Sequence, residues 1–433
     1  MSKKPAKSRP ADPVTGASDE MRKAAAGLFD LAVKAADPGH ALQSQLNKAP
    51  FPLPKPGGRV LLFAVGKAAV PMMKEALRHL EGPEAILVTN YENHTEIPGV
   101  TCYASGHPVP DENGAAAARA VIAALATAKA EDQVIALISG GGSALLPAPA
   151  AGLSLGHKSS LNRLMLAGGF GITQMNLVRQ QVSQLKGGGF LRLAAPAPVT
   201  AYILSDVIGD DLRVIASGPT TAPLGTAAEA VEILRAGGVW ETLPAEIRAH
   251  LTRDTAAQTP PEPAINLLIG SNGQSLAAVL AAAKGYDARI VSDALIGDVE
   301  QACEQIMVAA RAAPKGRPIC LIFGGETTVI IRGNGLGGRN QELALRVAIA
   351  AQGYDRNWVF LCGGTVGRDG PTDAAGGLVD GESLLRMQAA GVEPSALLAN
   401  NDSNTALHAS GDLLIIGATG TNVADVQIML IVA

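Results

Sequence analysis

Aromatic residues are scarce in this sequence, and no excess of basic charge is present. Phenylalanine, tryptophan and tyrosine make up 3% of the 433 residues, and the formal net charge at pH 7 is -4. Proteins that bind a nucleic-acid backbone need clustered lysine and arginine, and those that hold single strands stack the bases on aromatic rings. We therefore expect no nucleic-acid partner.

Long apolar runs and paired cysteines are also missing. The longest alanine-rich stretch, residues 115–128, is interrupted by Arg119, whereas a membrane-spanning helix needs about 20 consecutive apolar residues. The four cysteines contain no Cys-x-x-Cys pair, which favours reduced packing residues over a metal or disulfide site. We expect a cytoplasmic protein with no membrane partner.

The chain is long enough for two hydrophobic cores, since 47% of its residues are hydrophobic. Residues 1–18 are rich in charge and proline and lack the apolar segment of a signal peptide, so a disordered tail is expected there. The most proline-rich stretch beyond the tail predicts a linker at residues 258–264. We therefore expect one domain over residues 19–257 and a second over residues 265–433.

Strand and helix patterns alternate after the tail. Continuous apolar runs, typical of parallel strands buried on both faces, occupy residues 59–65, 85–89, 134–138 and 199–205. The helical segments between them cover residues 68–80, 114–130 and 177–185. Alternation of this kind predicts an α/β fold with a doubly wound sheet.

The second domain shows a less regular pattern. Its predicted strands cover residues 265–270, 319–323, 328–331, 358–362 and 413–416. The short turn at Glu326 and Thr327 would join two of them as an antiparallel pair. We expect a mixed α/β domain with some antiparallel pairing.

Glycine-rich turns follow several of the predicted strands. The clearest turn comprises Ser139, Gly140, Gly141, Gly142 and Ser143. Two similar turns are Gly324-Gly325-Glu326-Thr327 and Gly363-Gly364-Thr365. Glycine exposes backbone N–H groups, and a following helix N-terminus adds partial positive charge, which together favour a phosphate or another anion. The alternative is a plain connection between strand and helix.

Charged residues stand at the ends of the same predicted strands. Lys67 follows the first strand, where open α/β sheets bind ligands, although a solvated surface lysine is the alternative. Asp206 is a candidate for proton transfer or metal binding, with helix capping as the alternative. Asp369 and Asp373 could hold Mg²⁺ or brace their own loop. His107 is assigned to packing.

Residues 333–338 match the glycine pattern of dinucleotide-binding loops. That fingerprint also needs an acidic residue at the end of the next strand to hold the ribose. Here the next predicted strand ends in Gly363 and Gly364 instead. We interpret the loop as backbone that delivers Arg339, whose guanidinium can bind phosphate oxygens in a fork.

Several long motifs occur in one order along the chain. They cover residues 65–69, 104–111, 138–147, 204–219, 323–342, 369–376 and 420–425. In these motifs the chain resembles the class II glycerate kinases, the MOFRL-type glycerate 2-kinases. The resemblance implies a Rossmann-like first domain, a smaller second domain and an active site in the cleft between them. It also implies ATP-dependent phosphorylation of the 2-hydroxyl of D-glycerate to 2-phosphoglycerate with Mg²⁺, and places the proposed catalytic lysine and arginine of the family on Lys67 and Arg339.

The resulting hypothesis gives each candidate residue a role. Lys67 and Arg339 would stabilise the phosphoryl oxygens in transit, and Asp206 would orient the attacking hydroxyl or the metal. The predicted phosphate or substrate ligands are Ser139, Gly140, Gly141, Gly142, Ser143, Lys186, Gly324, Gly325 and Glu326. The predicted metal ligands are Asp369 and Asp373.

Two other functions stay open at the level of the sequence. Genes of this family have often been named as hydroxypyruvate reductases, so an NAD(P)H-dependent reductase is one alternative. The other is a non-catalytic sensor of sugar-acid phosphates, because the chain departs from the family pattern at Gln180-Gln181 and at Asn404-Thr405. Assembly as a homo-oligomer is also left open.

Overall fold

The computed structural model describes residues 13–253 and 262–432, which form two compact units. The parallel-sheet unit comprises Ala36–Ser271 and Gly420–Val423, and the mixed-sheet unit contains the rest of the described chain. Residues 1–12 of the predicted tail and most of the predicted linker at 258–264 lie outside the described residues. None of the described helices is both long enough and apolar enough to cross a bilayer.

The elements of the described chain are numbered in chain order. The strands are β1 (Val60–Val65), β2 (Glu84–Asn90), β3 (Val100–Ser105), β4 (Gln133–Ile138), β5 (Val199–Leu204), β6 (Ile265–Gly270), β7 (Asp287–Ser292), β8 (Gly297–Asp298), β9 (Ile319–Gly325), β10 (Thr327–Thr328), β11 (Asn357–Gly364), β12 (Gly376–Asp380), β13 (Leu413–Leu414) and β14 (Asp425–Val432). The helices are α1 (Pro13–Ala35), α2 (Pro38–Lys48), α3 (Ala69–Ala76), α4 (Glu112–Leu125), α5 (Gly142–Leu145), α6 (Leu155–Ala167), α7 (Ile172–Gln181), α8 (Gly189–Ala194), α9 (Ala227–Ala236), α10 (Ala245–Leu251), α11 (Asn272–Ala282), α12 (Val299–Arg311), α13 (Arg339–Ala350), α14 (Ser383–Ala389), α15 (Pro394–Ala399) and α16 (Ser403–Ser410).

The parallel-sheet unit is built on six strands in the order β3-β2-β1-β4-β5-β6, and every pair is parallel. This is the strand order of Rossmann folds, so the predicted doubly wound sheet is confirmed. The chain moves outward in one direction from β1 and in the other direction from β4. Such sheets bind ligands outside the carboxyl ends of the strands at this reversal point, which lies between β1 and β4.

Alternating side chains of β1 fill the two apolar cores on either face of the parallel sheet. Leu61 and Phe63 join one core, while Leu62 and Ala64 join the other. The ring of Phe63 packs edge-on against Phe190 at 5.5 Å between ring centres. Because a shift of one residue would exchange the two faces, this packing fixes the register of β1 and hence the point where the following loop leaves the sheet.

The mixed-sheet unit contains six strands in the order β13-β12-β11-β14-β9-β7. Strand β14 lies in the middle and pairs antiparallel with both β9 and β11, whereas β7 and β9 are parallel. The predicted antiparallel pairing is therefore confirmed, but its predicted position is wrong. Thr327 pairs with Gly297 in a separate two-stranded sheet, and residues 329–331 form no strand.

Two segments belong to a different unit from the one predicted. Helix α1 buries Met21, Leu28 and Phe29 in the core of the mixed-sheet unit, so residues 19–35 do not join the first domain, and residues 13–18 begin this helix instead of ending a disordered tail. Strand β6, assigned to the second domain, pairs with β5 and completes the parallel sheet. The free edge of β5 explains this pairing, because its backbone groups need hydrogen-bond partners.

Candidate active site

Three predicted site loops meet at the carboxyl edge of the parallel sheet, next to the reversal point between β1 and β4. The N–H of Lys67 donates to the carbonyl of Gly140 at 2.9 Å, and the N–H of Ala68 donates to Ser139 Oγ at 3.0 Å. A Cβ added to Gly140 would lie 1.9 Å from Asp206 Oδ2, so the Asp206 carboxylate lies against this glycine. Lys67, Gly140 and Asp206 therefore form one cluster.

The glycine loop after β4 presents unused N–H groups. Within residues 13–253 and 262–432, no protein group accepts a hydrogen bond from the N–H of Gly140, Gly141, Gly142 or Ser143. Gly141 has a φ of 86°, in the left-handed region, and helix α5 begins at the next residue. A left-handed residue beside right-handed ones lets successive N–H groups point toward one anion. The loop has the features of an anion cradle.

Ser139 belongs to the same motif but has a different task. It is buried, its N–H donates to the Val65 carbonyl, and its hydroxyl accepts the hydrogen bond from Ala68. A Cβ on Gly66 would lie 2.1 Å from Ser139 Oγ, so only glycine permits this close approach. Ser139 therefore joins the β1 and β4 loops and leaves the N–H groups of the next four residues for a ligand.

Lys67 is a cation that forms no ion pair with any residue that the structure describes. In the described part of the chain, the lysines that form ion pairs are Lys34 and Lys315. The side chain of Lys67 is half-buried, and its backbone carbonyl accepts a hydrogen bond from Asn93 Nδ2 at 2.9 Å. An unpaired ammonium beside bare N–H groups is suited to an anionic ligand.

Asp206 is the carboxylate of this cluster. Burial raises the pKa of its carboxyl, while its own backbone hydrogen bond and the charge of Lys67 act in the opposite direction. A carboxylate with a raised pKa is a stronger base and accepts a proton more readily near neutral pH. The nearby Asp211 is instead paired with Arg213, at 2.8 Å between Oδ2 and Nη2.

His107 joins the cluster, although sequence reasoning assigned it to packing. A Cβ on Gly141 would lie 3.3 Å from His107 Nε2 and 3.3 Å from Lys67 Cγ, so both side chains flank the glycine loop. Burial, followed by the charge of Lys67, lowers the pKa of His107. The signal that could have found it is its position after β3, at the same edge of the sheet.

Lys186 lies at the far end of the glycine loop. Its side chain is 4% exposed, and Nζ donates to the Ser143 carbonyl at 2.8 Å. The Ser143 hydroxyl is hydrogen-bonded to Ser217 Oγ at 2.6 Å. The structure therefore places two of the predicted ligand residues, Lys186 and Ser143, in direct contact.

Arg339 belongs to the mixed-sheet unit, at the first turn of α13. Its Nε and Nη2 donate to the two oxygens of Asp425 at 2.6 and 3.0 Å, and Nη1 lies 3.0 Å from Glu326 Oε1. Burial opposes the charged form, but the bonds and charge of Asp425 and the charge of Glu326 raise the pKa of Arg339 above its ordinary value. The Arg339 guanidinium, which is expected to hold phosphate, is thus bound to Asp425. The sequence analysis did not single out Asp425, although this residue ends the motif at 420–425.

Gly324 and Gly325 do not form a loop like that at Gly140. Both lie inside β9 and pair with Val426 and Asp425 of β14. A Cβ on Gly324 would lie 2.1 Å from Asn272 Oδ1, and one on Gly325 would lie 2.3 Å from the Leu295 carbonyl. Close packing explains these two glycines, and the expected bare loop is absent at this strand. Gly363 and Gly364 similarly lie within β11.

Asp369 and Asp373, the two predicted metal ligands, have different surroundings. Asp369 is 4% exposed, and its Oδ2 accepts from the N–H of Gln341 at 2.9 Å and from Gln341 Nε2 at 3.2 Å. Asp373 is exposed and forms no hydrogen bond or ion pair with Asp369. No group of three or more potential metal ligands occurs in the described ranges. Asp369 instead braces the start of α13, and not its own loop as the alternative interpretation predicts.

The loop at residues 333–338 has few N–H groups left for a dinucleotide. The N–H groups of Arg332 and Gly333 donate to Asn401 Oδ1 at 2.7 and 3.0 Å, and that of Leu336 donates to Asp402 Oδ1 at 3.2 Å. A Cβ on Gly338 would lie 2.3 Å from the Asp369 carboxyl carbon. The glycines therefore permit close packing of the loop, which explains the pattern without a cofactor.

Comparison with known proteins decides the family. A D-glycerate 2-kinase from Thermotoga maritima is 41% identical to this chain and covers 96% of it, with 99% of the relative aligned. The chain belongs to the glycerate 2-kinase family. A model described as the MOFRL family matches residues 319–425, and one described as a domain of unknown function, DUF4147, matches residues 24–252.

A solved structure and a second relative extend the comparison. The crystal structure of glycerate kinase from Thermotoga maritima aligns with a TM-score of 0.88 and 38% identity, over 96% of this chain and 100% of the other. A protein from Agrobacterium vitis with the provisional name of hydroxypyruvate reductase is 38% identical over 93% of both chains. The two-domain α/β architecture is shared with solved glycerate kinases.

The departures from the glycerate 2-kinase pattern have structural explanations in this chain. Gln180 is buried, its Nε2 donates to the Arg213 carbonyl at 2.9 Å, and its Oε1 accepts from the N–H of Leu224 at 2.8 Å. Asn404 Nδ2 donates to Gln341 Oε1 at 2.8 Å. Gln180 thus holds two loop segments against α7, and Asn404 joins α16 to α13.

Proposed function

We propose that this chain transfers the γ-phosphoryl group of ATP to the 2-hydroxyl of D-glycerate and releases 2-phosphoglycerate and ADP. The observation that supports this most is the cluster of Lys67, the bare N–H groups at residues 140–143 and the Asp206 carboxylate beside the strand reversal point. Phosphoryl transfer depends on positioned charge more than on covalent catalysis, and this cluster supplies it. The Thermotoga maritima relative carries the name of this activity.

Each residue of the cluster has a role in the proposal. Lys67 stabilises negative charge on the phosphoryl oxygens, and the N–H groups of the glycine loop hold a phosphate or the glycerate carboxylate. Asp206 accepts the proton of the 2-hydroxyl as the new O–P bond forms. We assign Arg339 to charge stabilisation as well, with Asp425 holding its guanidinium in one orientation.

ATP is the proposed phosphoryl donor, and Mg²⁺ usually accompanies it by binding to its phosphates. Because Asp369 accepts hydrogen bonds from Gln341 and is not bonded to Asp373, we assign no protein ligand to the metal, and the metal role of these two residues stays a prediction. The cytoplasmic location and the oligomeric state stay predictions.

An assay of both donor and product tests the proposal. The purified protein is incubated with D-glycerate, ATP and Mg²⁺, and ADP is measured together with 2-phosphoglycerate, which enolase converts directly. L-glycerate serves as the matched control. We expect equal amounts of ADP and 2-phosphoglycerate from the D-isomer.

The same preparation tests the alternatives. Oxidation of NAD(P)H with hydroxypyruvate, without ADP formation from glycerate, would establish the reductase instead. The N–H groups of residues 332–336 donate to Asn400, Asn401 and Asp402, which argues against that outcome. Ligand-induced thermal stabilisation without turnover would establish a sensor.

A further inference from the structure

Three cations lie close together in the parallel-sheet unit. Lys158 comes from α6, Arg179 from α7 and Lys186 from the loop after α7. None of the ion pairs formed by described residues includes any of the three, and no acidic group raises the pKa of any of them. Lys186 is buried, and a buried charge without an opposite charge is costly unless a ligand supplies one.

Hydrogen bonds orient the three side chains but use few of their donors. Lys158 Nζ donates to the Pro147 carbonyl, Lys186 Nζ donates to the Ser143 carbonyl at 2.8 Å, and Arg179 Nε donates to Asn162 Oδ1 at 3.0 Å. An ammonium has three N–H donors and a guanidinium has five. Most of these donors therefore have no protein acceptor in the described part of the chain.

The pKa values of the two lysines also indicate that no carboxylate of the described chain neutralises their charge. Burial, followed by the charge of Arg179, lowers the pKa of Lys158 to about 7. Burial, followed by the charges of Lys158 and Arg179, lowers the pKa of Lys186 well below its ordinary value. Mutual repulsion thus adds to the cost of burial, and a bound anion would relieve both.

Capping of the short helix α5 explains only part of the arrangement. Lys186 and Lys158 reach the carbonyls of Ser143 and Pro147, in and just after that helix, where cations are favourable. Arg179 makes no such contact with α5 in the described chain. Its guanidinium donates to Asn162 Oδ1 instead. Lys158 and Arg179 are also only half-buried, so a ligand from solvent can reach them.

We propose that Lys158, Arg179 and Lys186 form a phosphate-binding subsite that holds the phosphate chain of the nucleotide. The triphosphate of a nucleotide carries several negative charges, whereas the glycerate carboxylate carries one. The triphosphate therefore matches three cations better. The subsite adjoins the glycine loop, because Ser143 provides the acceptor for Lys186. The identity of the ligand as ATP rests on the proposed function.

Calorimetric titration with tripolyphosphate, without metal or glycerate, tests the subsite directly. We expect Arg179→Gln and Lys158→Gln each to weaken binding about tenfold or more, the effect of losing one charge-assisted hydrogen bond. Arg163→Gln removes a charge from an exposed position of the same helix as Lys158 and should change affinity less than about twofold. Equal loss in all three variants, or unchanged affinity in Arg179→Gln, would overturn the proposal.

Further measurements separate folding effects and ligand sources. Lys158→Arg keeps the charge and should recover most of the affinity lost in Lys158→Gln, and melting temperatures identify any variant that fails to fold. In the kinase assay, Arg179→Gln should raise KM for ATP and leave KM for D-glycerate unchanged. A rise in KM for glycerate alone, or a loss of 2-phosphoglycerate binding with tripolyphosphate binding retained, would contradict the nucleotide assignment.

The binding test and the kinase assay distinguish a failure of the subsite from a failure of the proposed function. Wild-type protein that binds tripolyphosphate through these residues but forms no ADP from glycerate would refute the kinase proposal and retain the subsite. Protein that forms 2-phosphoglycerate with unchanged kinetics in Arg179→Gln would retain the kinase proposal and refute the subsite.

Discussion

The glycine-rich ends of β4 and β9 have similar sequences but different structures. After β4, the N–H groups of Gly140 to Ser143 have no protein acceptor in the described chain. In β9, Gly324 and Gly325 continue the strand and pair with β14. Glycine supplies conformational freedom in one place and room for close packing in the other. The comparison shows that a glycine pair after an apolar run does not by itself identify an anion site.

The cations near these two strand ends differ in the same way. Lys67 has no ion-pair partner among the described residues, whereas Arg339 is bound to Asp425 and Glu326. Lys67 is therefore free to bind a ligand, whereas the ion pairs of Arg339 hold its guanidinium in one orientation and also stabilise the fold. Mutations can test this distinction. Replacement of Lys67 should mainly lower turnover, whereas replacement of a residue that pairs with Arg339 should mainly lower stability.

Lys67→Ala should produce the largest loss of activity. Removal of one electrostatic stabiliser typically lowers kcat by about 10² to 10³. Because Lys67 has no ion pair to lose, the melting temperature should change little. Steady-state kinetics and thermal melts measure both effects, with Lys74→Ala, an exposed lysine of α3, as the control. Near-normal turnover in Lys67→Ala would place the active site elsewhere.

Asp206→Asn should lower kcat by about 10² or more, since it removes the proposed proton acceptor. It should also raise the melting temperature at neutral pH, because burial raises the pKa of Asp206 in the folded state. A group with a raised folded pKa stabilises the protein below its unfolded pKa, and this contribution is lost as pH rises through the folded pKa. The advantage of the variant should therefore disappear as pH falls toward 4, and an advantage that grows with acid would contradict the assignment.

Gly140→Ala and Gly324→Ala compare the two strand ends directly. The new methyl at residue 140 would displace the Asp206 carboxylate, and a displacement of about 1 Å can cost about 10² in rate. The methyl at residue 324 would meet Asn272 and Leu276, so overpacking should cost about 1 to 3 kcal/mol of stability. Kinetics and denaturant unfolding distinguish the outcomes. Loss of turnover without loss of stability in Gly324→Ala would restore that glycine as a ligand residue.

Asp425→Asn should mainly reduce stability. Breaking a fully buried ion pair costs about 3 to 5 kcal/mol, and we expect about 1 to 3 here because the Arg339 side chain is 31% exposed. Glu326→Gln is the matched control, and its half-exposed carboxylate should contribute about 1 kcal/mol or less. Chemical unfolding of both variants gives the comparison. Equal stability of Asp425→Asn and wild type would show that the pair does not fix Arg339.

Asp373→Asn should have the smallest effect. The side chain is exposed and is not bonded to Asp369, so kcat and the Mg²⁺ concentration for half-maximal activity should stay within about twofold of wild type. A titration of activity with Mg²⁺ measures both values. A large increase in the Mg²⁺ requirement would restore the predicted metal role of this residue.

The parallel-sheet unit was the more predictable part of the chain. Its strands are continuous apolar runs, and the residue that follows each run must emerge at the sheet edge, so Lys67 and Asp206 could be placed before the structure was known. The membership of α1 could not be predicted in this way. Its apolar pattern does not specify a partner, and the packing of residues such as Phe29 against the mixed sheet decides which unit it joins.

The mixed-sheet unit was harder to predict because its important contacts join distant residues. Strand β14 enters the middle of the sheet from the end of the chain and brings Asp425 to Arg339, 86 residues away in the sequence. The loop at residues 333–338 is a second example. N–H groups of this loop, and that of Arg332, are bound by Asn401 and Asp402, which lie more than 60 residues away in the sequence. No local pattern contains this information.

The sequence by itself determined which residues follow the parallel strands, because chain connectivity puts the residues after each buried run at one edge of the sheet. It therefore specified the meeting of Lys67, the glycine loop and Asp206. Only the tertiary structure decided which polar groups find partners, since Asp425 reaches Arg339 and Gln341 reaches Asp369, while Lys158, Arg179 and Lys186 have no carboxylate partner among the described residues. Satisfaction of charge and hydrogen bonds depends on groups far apart in the chain, which only folding brings together.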